Sequence, residues 1–269
     1  MADFVAELRP FQNLDGGFGH GIEPDLLSPD SSPFATTVGL QYLNRISRLS
    51  DAAAQMVARA LDYLVVRFDP GLPGWRYLEP PTVVYPSAPW WEYDYTLQSD
   101  EWGNPNAEIL GHFLRHRHPS SGRLLEDLWP EALGRLAAIE VPEFHELLCF
   151  QRLFHELDRA RQDEIWPSLT AHMLTAVEMD RDRGDHYGAD ALTFVRSPTS
   201  PFRILFPSEE IGAGLDRLTQ RAVAGERWVP NWTWNDAFPE AWPRARGEWT
   251  SFLTRMNLAV LDAFDALDP

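Results

Sequence analysis

Lysine is missing from this sequence, so every one of its 23 basic residues is an arginine. Schiff-base catalysis needs a lysine amine, and the phosphate-binding P-loop needs a lysine next to its glycines. Both kinds of chemistry are therefore excluded.

Cysteine occurs only once, as Cys149. No disulfide can form within the chain, which is typical of proteins from a reducing compartment. A zinc site built on several thiolates is excluded for the same reason. We predict neither a bound metal nor another cofactor.

Long apolar runs and excess positive charge are also missing. No apolar stretch approaches the roughly 20 residues of a membrane-spanning helix, and the amino-terminal residues MADFVAELRP lack the pattern of a signal peptide. The formal charge of −17 opposes binding to nucleic acids and to anionic membranes. We expect a cytoplasmic protein that neither binds nucleic acid nor inserts into membranes.

Strand patterns are scarce, and the only candidate begins at Thr82. Apolar residues instead recur at helical spacing along most of the chain. We predict eight helices, at residues 34–49, 52–68, 106–116, 124–139, 143–158, 162–178, 208–224 and 243–267. The Ser-Ser-Pro sequence that ends at Pro33 is the expected start of the first helix, and Asp51 is the expected cap of the second.

The predicted helices alternate between two kinds. Those at 52–68, 124–139, 162–178 and 208–224 carry charge on one side. The helices between them are apolar or rich in small residues, as expected for helices buried on both sides. This alternation predicts one all-α domain over residues 1–269, an α/α toroid in which about five to six hairpins form an inner and an outer ring.

The stretch FQNLDGGFGHGIEPD, residues 11–25, concentrates glycines, acids and aromatics. Its glycines permit positive φ and close backbone approach. The Gln12 amide can bridge to the end of a neighbouring helix, and Phe18 can fill the seam between an outer and an inner helix. We predict a structural corner here, because a phosphate loop would need a lysine and a preceding strand.

The segment QNLDGGFG resembles the repeats of the α/α-toroid superfamily, which includes squalene–hopene-type cyclases and protein prenyltransferase β-subunits. AVAGERWVPNWTW resembles a worn second copy. With SSPFATTVGLQYL, GNPNAEILGHFLRH and FPEAWPRARGEWTSFLTRMNLAVLDAF, the chain is similar to bacterial proteins described as prenyltransferase- or terpene-cyclase-like. The resemblance implies the toroid fold and an isoprenoid-type ligand in a central cavity.

Two acidic motifs of terpene synthases do not occur in the sequence. It contains neither Asp-x-Asp-Asp, whose protonated aspartate starts cation chemistry, nor the magnesium-binding Asp-Asp-x-x-Asp. A catalyst of this type would therefore need a different acid.

The candidate catalytic residues fall in two places. His20, Glu23 and Asp25 lie between the corner and the helix that follows, which in a toroid faces the mouth of the cavity. Glu108 and His112 are four residues apart, so they share a helix face and would form a buried acid–base pair. We expect burial to raise the pKa of such a carboxyl group, whereas an ordinary inter-helix salt bridge is the alternative.

Candidate substrate-binding residues are the aromatic and polar side chains of two loops and of one helix start. Tryptophan faces can stabilise a carbocation and can equally stack on a sugar ring. These residues are Trp90, Trp91, Asp94, Asn104, Asn106, Asn231, Trp232 and Trp234. If the chain folds as a toroid, the loop at residues 230–242 should lie at the same mouth of the central cavity as His20 to Asp25.

Three functions stay open at this point. The first is a terpene-cyclase- or prenyltransferase-like protein that binds or converts an isoprenoid-type small molecule. The second is a carbohydrate-active barrel enzyme, which would need two carboxyl groups such as Glu23 or Asp25 with Glu108 or Asp94. The third is a binding or scaffold toroid without chemistry. A single toroid has an open mouth, which a loop or a homodimer would have to cover.

Overall fold

The computed structural model describes residues 2–78, 84–91, 102–181, 187–223 and 226–267. Within these ranges the chain forms ten α-helices: α1 (Ala2–Leu8), α2 (Pro33–Asn44), α3 (Asp51–Arg67), α4 (Gly103–Arg115), α5 (Ser121–Ala137), α6 (Phe144–Phe154), α7 (Arg159–Asp180), α8 (Ala191–Phe194), α9 (Ser208–Gln220) and α10 (Trp242–Ala263). The β-bridges among the described residues are isolated and form no sheet. The predicted all-α class is confirmed, and the strand candidate at 82–85 begins outside the described residues.

All eight predicted helices are present, as α2–α7, α9 and α10, with ends that differ by a few residues. The prediction missed α1 and α8. These two helices have seven and four residues, which is too short for an apolar period to show.

Serine side chains start α2 and α3. Ser32 Oγ accepts a hydrogen bond of 3.0 Å from Ala35 N, and Pro33 is the first residue of α2, as predicted. Ser50 Oγ does the same for Ala53 N at 3.3 Å. The prediction that Asp51 caps α3 was wrong, because this residue is already helical and Ser50 precedes it in extended backbone.

The chain divides into two compact units, which we describe separately. The first unit comprises Met1–Glu140 and His145–Trp166. In it, α2 packs against both α3 and α4, and α4 packs against α5. Large fully buried side chains fill its core: Phe18, Leu40, Leu43, Leu61, Leu64, Ile109, Leu110, Phe113 and Phe150.

The second unit comprises Val141–Phe144 and Pro167–Pro269. Here α8 packs on α9, where Gly214 leaves room for the side chain of Leu192. Along α10 the buried residues are Ala245, Val260 and Leu261. The prediction that this helix is buried on both sides was wrong, because charged residues are interspersed among its aromatic ones.

None of the described helices combines the length and the apolar character that crossing a membrane requires. The predicted toroid, and the predicted single domain over residues 1–269, stay predictions.

Candidate functional site

The loop that follows α1 is a corner held by side-chain amides. Gln12 Nε2 donates to Gly16 O at 2.9 Å and to Met56 O at 2.8 Å. The predicted bridging role of Gln12 is thus confirmed, although its partner lies inside α3 rather than at a helix end. Gly16 has φ of +96° and lies against the backbone of Arg59, so a larger residue would clash there.

Phe18 anchors this corner to α2. Its ring is fully buried, and its backbone N donates to Thr36 Oγ1 at 3.1 Å. A Cβ atom on Gly39 would lie 2.5 Å from Phe18 Cγ, so the glycine is what lets the ring reach the helix. Phe18 thus fills space against α2, as expected for the structural corner predicted within residues 11–25.

His20 belongs to the corner by its contacts. It is exposed, its backbone has φ of 57°, and its Nε2 donates to Asn13 Oδ1 at 2.8 Å. Asn13 Nδ2 in turn donates to Pro29 O and to Ser31 Oγ, both at 2.9 Å. This network gives His20 a positioning role in the loop, and its catalytic role stays a prediction.

Glu23 and Asp25 form the acidic part of the same loop, which we call the acid loop (residues 20–25). Asp25 is 3% exposed and Glu23 is half-buried. Burial raises the pKa of Glu23 to about 8, and the nearby carboxylate of Asp25 adds to the increase. At neutral pH, Glu23 is therefore mainly a protonated acid.

Backbone hydrogen bonds fasten the acid loop to the segment that carries Trp90 and Trp91. Ala88 N donates to Asp25 O at 2.8 Å, and Leu27 N donates to Pro86 O at 3.0 Å. The segment that carries Glu23 and Asp25 is thus hydrogen-bonded to the segment that carries Trp90 and Trp91.

Two aromatic rings lie next to Trp91. Its ring centroid lies 4.4 Å from that of Phe34 and 6.5 Å from that of Tyr77. The indole nitrogen of Trp91 is buried and has no hydrogen-bond partner among the described residues, whereas Trp90 is 51% exposed. The aromatic group Phe34, Tyr77 and Trp91 offers π faces at the start of α2.

Glu108 and His112 form the centre of a second polar cluster. Both are buried on α4, and Glu108 Oε1 lies 3.4 Å from His112 Nε2. These two atoms lack a hydrogen-bond partner among the described residues, so they face each other without making a well-aligned bond. The predicted pairing on one helix face is confirmed.

Residues from two other helices complete this cluster. Glu108 Oε2 accepts from Arg152 NH1 of α6 at 2.9 Å and from Gln41 Nε2 of α2 at 3.1 Å. The thiol of Cys149 lies 3.7 Å from the same oxygen. We call Gln41, Glu108, His112, Cys149 and Arg152 the Glu108 cluster.

The expected rise in the pKa of Glu108 was wrong. Burial pushes the pKa upward, but the charge of Arg152, together with His112 and Gln41, outweighs it and lowers the pKa below its ordinary value. The alternative of an inter-helix salt bridge describes Glu108 correctly. The Cys149 thiol, by contrast, has a pKa well above its ordinary value because of burial and the Glu108 carboxylate. This thiol stays protonated.

Asn44 links two histidines of this region. Its Nδ2 lies 3.1 Å from His112 Nδ1, and its Oδ1 lies 2.8 Å from His116 Nε2. An amide nitrogen only donates and an amide oxygen only accepts. In this arrangement His112 Nδ1 is an acceptor, so a neutral His112 carries its proton on Nε2, facing Glu108.

Asn104 and Asn106, both predicted to bind substrate, have different surroundings. Asn106 Oδ1 accepts from Trp75 N at 2.6 Å and its Nδ2 donates to Trp102 O at 2.8 Å, so its amide anchors backbone. Asn104 Oδ1 lies 3.6 Å from Cys149 Sγ, at the edge of the Glu108 cluster.

The remaining candidates lie in the second unit, apart from Asp94, which falls outside the described residues. Asn231 is exposed and Trp234 is buried. The Trp232 centroid lies 5.1 Å from Tyr187 and 5.2 Å from Trp249, both nearly edge-to-face. Trp232 is thus part of a packed aromatic group, which favours a structural role in packing over a role in substrate binding.

Sequence reasoning missed Gln41, Asn44 and Arg152. Each is a polar residue within a helix that also carries buried apolar residues, and Arg152 follows Cys149 by one helical turn. That pattern was a usable signal. In the described ranges, no three His, Cys, Asp or Glu side chains converge in a way that could hold a metal ion.

Comparison with known proteins adds no relative. No family model matches the chain, and neither a curated protein nor a solved structure is significantly similar to it.

Proposed function

We propose that the protein binds an isoprenoid-type small molecule and acts on it as a terpene-cyclase- or prenyltransferase-like catalyst, with Glu23 as its proton donor. The observation that carries the proposal is the pKa of Glu23, about 8, beside the carboxylate of Asp25. Two carboxyl groups lie in one loop, and Glu23, which keeps its proton at neutral pH, is the proposed acid of an acid–base pair with Asp25.

The aromatic group next to the acid loop supports the same function. Phe34, Tyr77 and Trp91 lie close together, and Asp25 is hydrogen-bonded through its backbone to the segment that carries Trp91. Aromatic faces stabilise cations, including the carbocations that isoprenoid chemistry forms.

The raised pKa limits which proton transfer is feasible. An acid with a pKa near 8 is weak, so it suits an oxygen atom far better than an isolated alkene. In the proposed step the Glu23 proton moves to an ether, epoxide or leaving-group oxygen of the substrate. The carbon–oxygen bond then breaks, its electron pair stays on oxygen, and the resulting carbon cation lies against the aromatic rings.

A glycosidase-type reaction is the second candidate. It is favoured by the same observation, since glycoside hydrolysis uses one protonated and one ionised carboxyl group on either side of an oxygen. A tryptophan face would serve as the sugar platform. In both cases Asp25 is the ionised partner of Glu23.

Three further features that the sequence predicts concern the fold, the location and the assembly of the protein. We propose the α/α toroid as the arrangement around the ligand, a cytoplasmic location, and a loop or a homodimer as the cover of the open mouth. What supports the toroid is the order of packing in the first unit, where α2 and α4 are neighbours and α3 and α5 lie beside them.

Product analysis tests the proposal. Purified protein is incubated with isoprenoid alcohols, epoxides and diphosphates, and separately with aryl glycosides, and products are measured by mass spectrometry. We expect conversion of an isoprenoid at a rate that is constant below pH 8 and falls above it, because the acid must be protonated. Glu23→Gln should lower kcat by about 10²–10⁴-fold.

Asp30→Asn is the matched control, since Asp30 is an exposed carboxyl group a few residues beyond the acid loop. Its activity should equal that of the unmodified protein. Conversion of glycosides alone would establish the second candidate. No conversion in either panel would contradict catalysis and favour the non-catalytic toroid.

A further inference from the structure

Arg152 has hydrogen-bonding capacity that its ion pair does not use. Its NH1 donates to Glu108 Oε2 at 2.9 Å and lies 3.9 Å from Cys149 Sγ. In the described part of the chain, its NH2 and Nε make no hydrogen bond. The side chain is 42% exposed although Glu108, its partner, is 2% exposed, so the unused donors face outward from the cluster.

Asn104 lies near the same sulfur, with its Oδ1 3.6 Å from Cys149 Sγ. Its Oδ1 is directed at Cys149 Sγ, which leaves the Nδ2 donor of the amide unused by the described residues. Asn104 is half-buried and has non-helical backbone, with φ of −102° and ψ of 112°, at the kink near the start of α4. Glu146 already uses Gly103 N, with a hydrogen bond of 2.7 Å, so that backbone donor is not available.

The acids of this region are already paired. Glu108 is bound by Arg152 and Gln41, and Glu146 is bound by Gly103 N. The Cys149 thiol is neutral because its pKa is raised. An incoming anion would therefore meet donors of Arg152 and Asn104 rather than a free carboxylate.

We propose that Arg152 and Asn104 form a binding site for an oxyanion, the carboxylate or phosphate group of a small molecule. A planar guanidinium with two free N–H groups matches the geometry of two anionic oxygens. Glu108, which also accepts a hydrogen bond from Gln41, holds the guanidinium in place. The site does not depend on the proposed acid at Glu23, because a free anion is enough to occupy it.

Nuclear magnetic resonance of the arginine side chains tests this site in the unmodified protein. Inorganic phosphate and acetate are titrated in parallel at constant ionic strength, with chloride as the balancing ion. We expect a saturable shift of the Arg152 Nε–H signal with at least one of them. A shift with phosphate only identifies a phosphate site, and a shift with acetate only identifies a carboxylate site.

Arg115 is the internal control for this titration. It has a similar exposure of 44% and an ion pair of similar length, 2.8 Å, between the end of α4 and Glu156, which lies just beyond the end of α6. Its signal should not move. Equal shifts of Arg115 and Arg152 would show ordinary counterion screening, and no shift of Arg152 with either anion would equally overturn the proposal.

Two variants complete the test. Arg152→Gln should weaken anion binding by at least about tenfold, since a charge-assisted hydrogen bond is lost. Asn104→Ala removes one neutral donor without leaving a buried charge, and should weaken binding about threefold to tenfold. Unchanged affinity in Asn104→Ala, or retained binding in a folded Arg152→Gln, would contradict the site.

Discussion

Glu23 and Glu108 both lie in the first unit, but their pKa values shift in opposite directions. Glu23 has burial and the like charge of Asp25, which both raise its pKa to about 8. Glu108 is more deeply buried, but Arg152, His112 and Gln41 lower its pKa below the ordinary value. Burial raises the pKa of both carboxyl groups, and the neighbouring groups decide whether that rise persists, as at Glu23, or is outweighed, as at Glu108.

The comparison also separates the roles of the two regions. The acid loop holds a proton at neutral pH and so can donate one. In the Glu108 cluster an ionised carboxylate binds Arg152 beside a neutral thiol. Four expected outcomes sharpen this contrast, beginning with the largest.

Replacing Glu23 should change how stability depends on pH. The folded state keeps the Glu23 proton up to about pH 8, whereas the unfolded carboxyl group releases it near pH 4.5. Stability of the unmodified protein should therefore fall as pH rises through this range. Relative to it, Glu23→Gln should gain about 3 kcal/mol in unfolding free energy between pH 5 and pH 9.

Urea unfolding at several pH values measures this difference. The free-energy difference that corresponds to the full pKa shift is somewhat larger, and we reduce it because Glu23 is only half-buried. Asp30→Asn serves as the control and should follow the unmodified protein. A Glu23→Gln difference that does not vary with pH would mean that Glu23 titrates normally.

Removing Arg152 should destabilise the Glu108 cluster. Arg152→Met leaves the Glu108 carboxylate buried without its cation, which costs about 3–5 kcal/mol for a fully buried pair. Because Arg152 is 42% exposed, we expect about 2 kcal/mol at pH 7.

Arg115→Met is the matched variant for this measurement, since its pair with Glu156 is more exposed. It should lose less than about 1 kcal/mol. Equal losses in the two variants would show that Glu108 does not need its counter-charge.

Much of this fold could be predicted from the sequence, because helices leave a local period. Eight helices follow from apolar spacing, and the pairing of Glu108 with His112 follows from their separation by four residues. Gln12 as a bridge and Phe18 as a filler follow from the glycines around them. These features depend on residues that are close in the chain.

The rest of the site depends on residues that are distant in the chain. Gln41 and Arg152 reach Glu108 from α2 and α6, and a single sequence does not show which helices meet. The sign of the Glu108 shift was wrong for that reason, since burial was foreseen and the counter-charge was not. The shift of Glu23 was open for the same reason, although its neighbour Asp25 is local.

Replacing Asp25 should lower the pKa of Glu23 without making it ordinary. Asp25→Asn removes the like charge but leaves burial, which is the larger cause. We expect the Glu23 pKa to fall below about 8 and to stay above 4.5. Carboxyl carbon resonances followed against pH give both values, and an unchanged pKa would assign the whole shift to burial.

The smallest effect is expected at Gln41. Gln41→Leu removes one hydrogen bond to Glu108, so the pKa of Glu108 should rise while Arg152 still holds the carboxylate ionised at pH 7. The loss in unfolding free energy should be about 1 kcal/mol. Thermal unfolding measures this loss. A loss as large as that of Arg152→Met would show that the Gln41 amide contributes as much to the stability of the cluster as the guanidinium does.

Titration of the Glu23 carboxyl carbon, followed by nuclear magnetic resonance, tests whether Glu23 is a protonated acid at neutral pH. Glu23→Gln identifies the signal by its loss. We predict a midpoint near pH 8. A midpoint near 4.5, the value of an ordinary glutamate, would contradict the account and remove Glu23 as the proton donor.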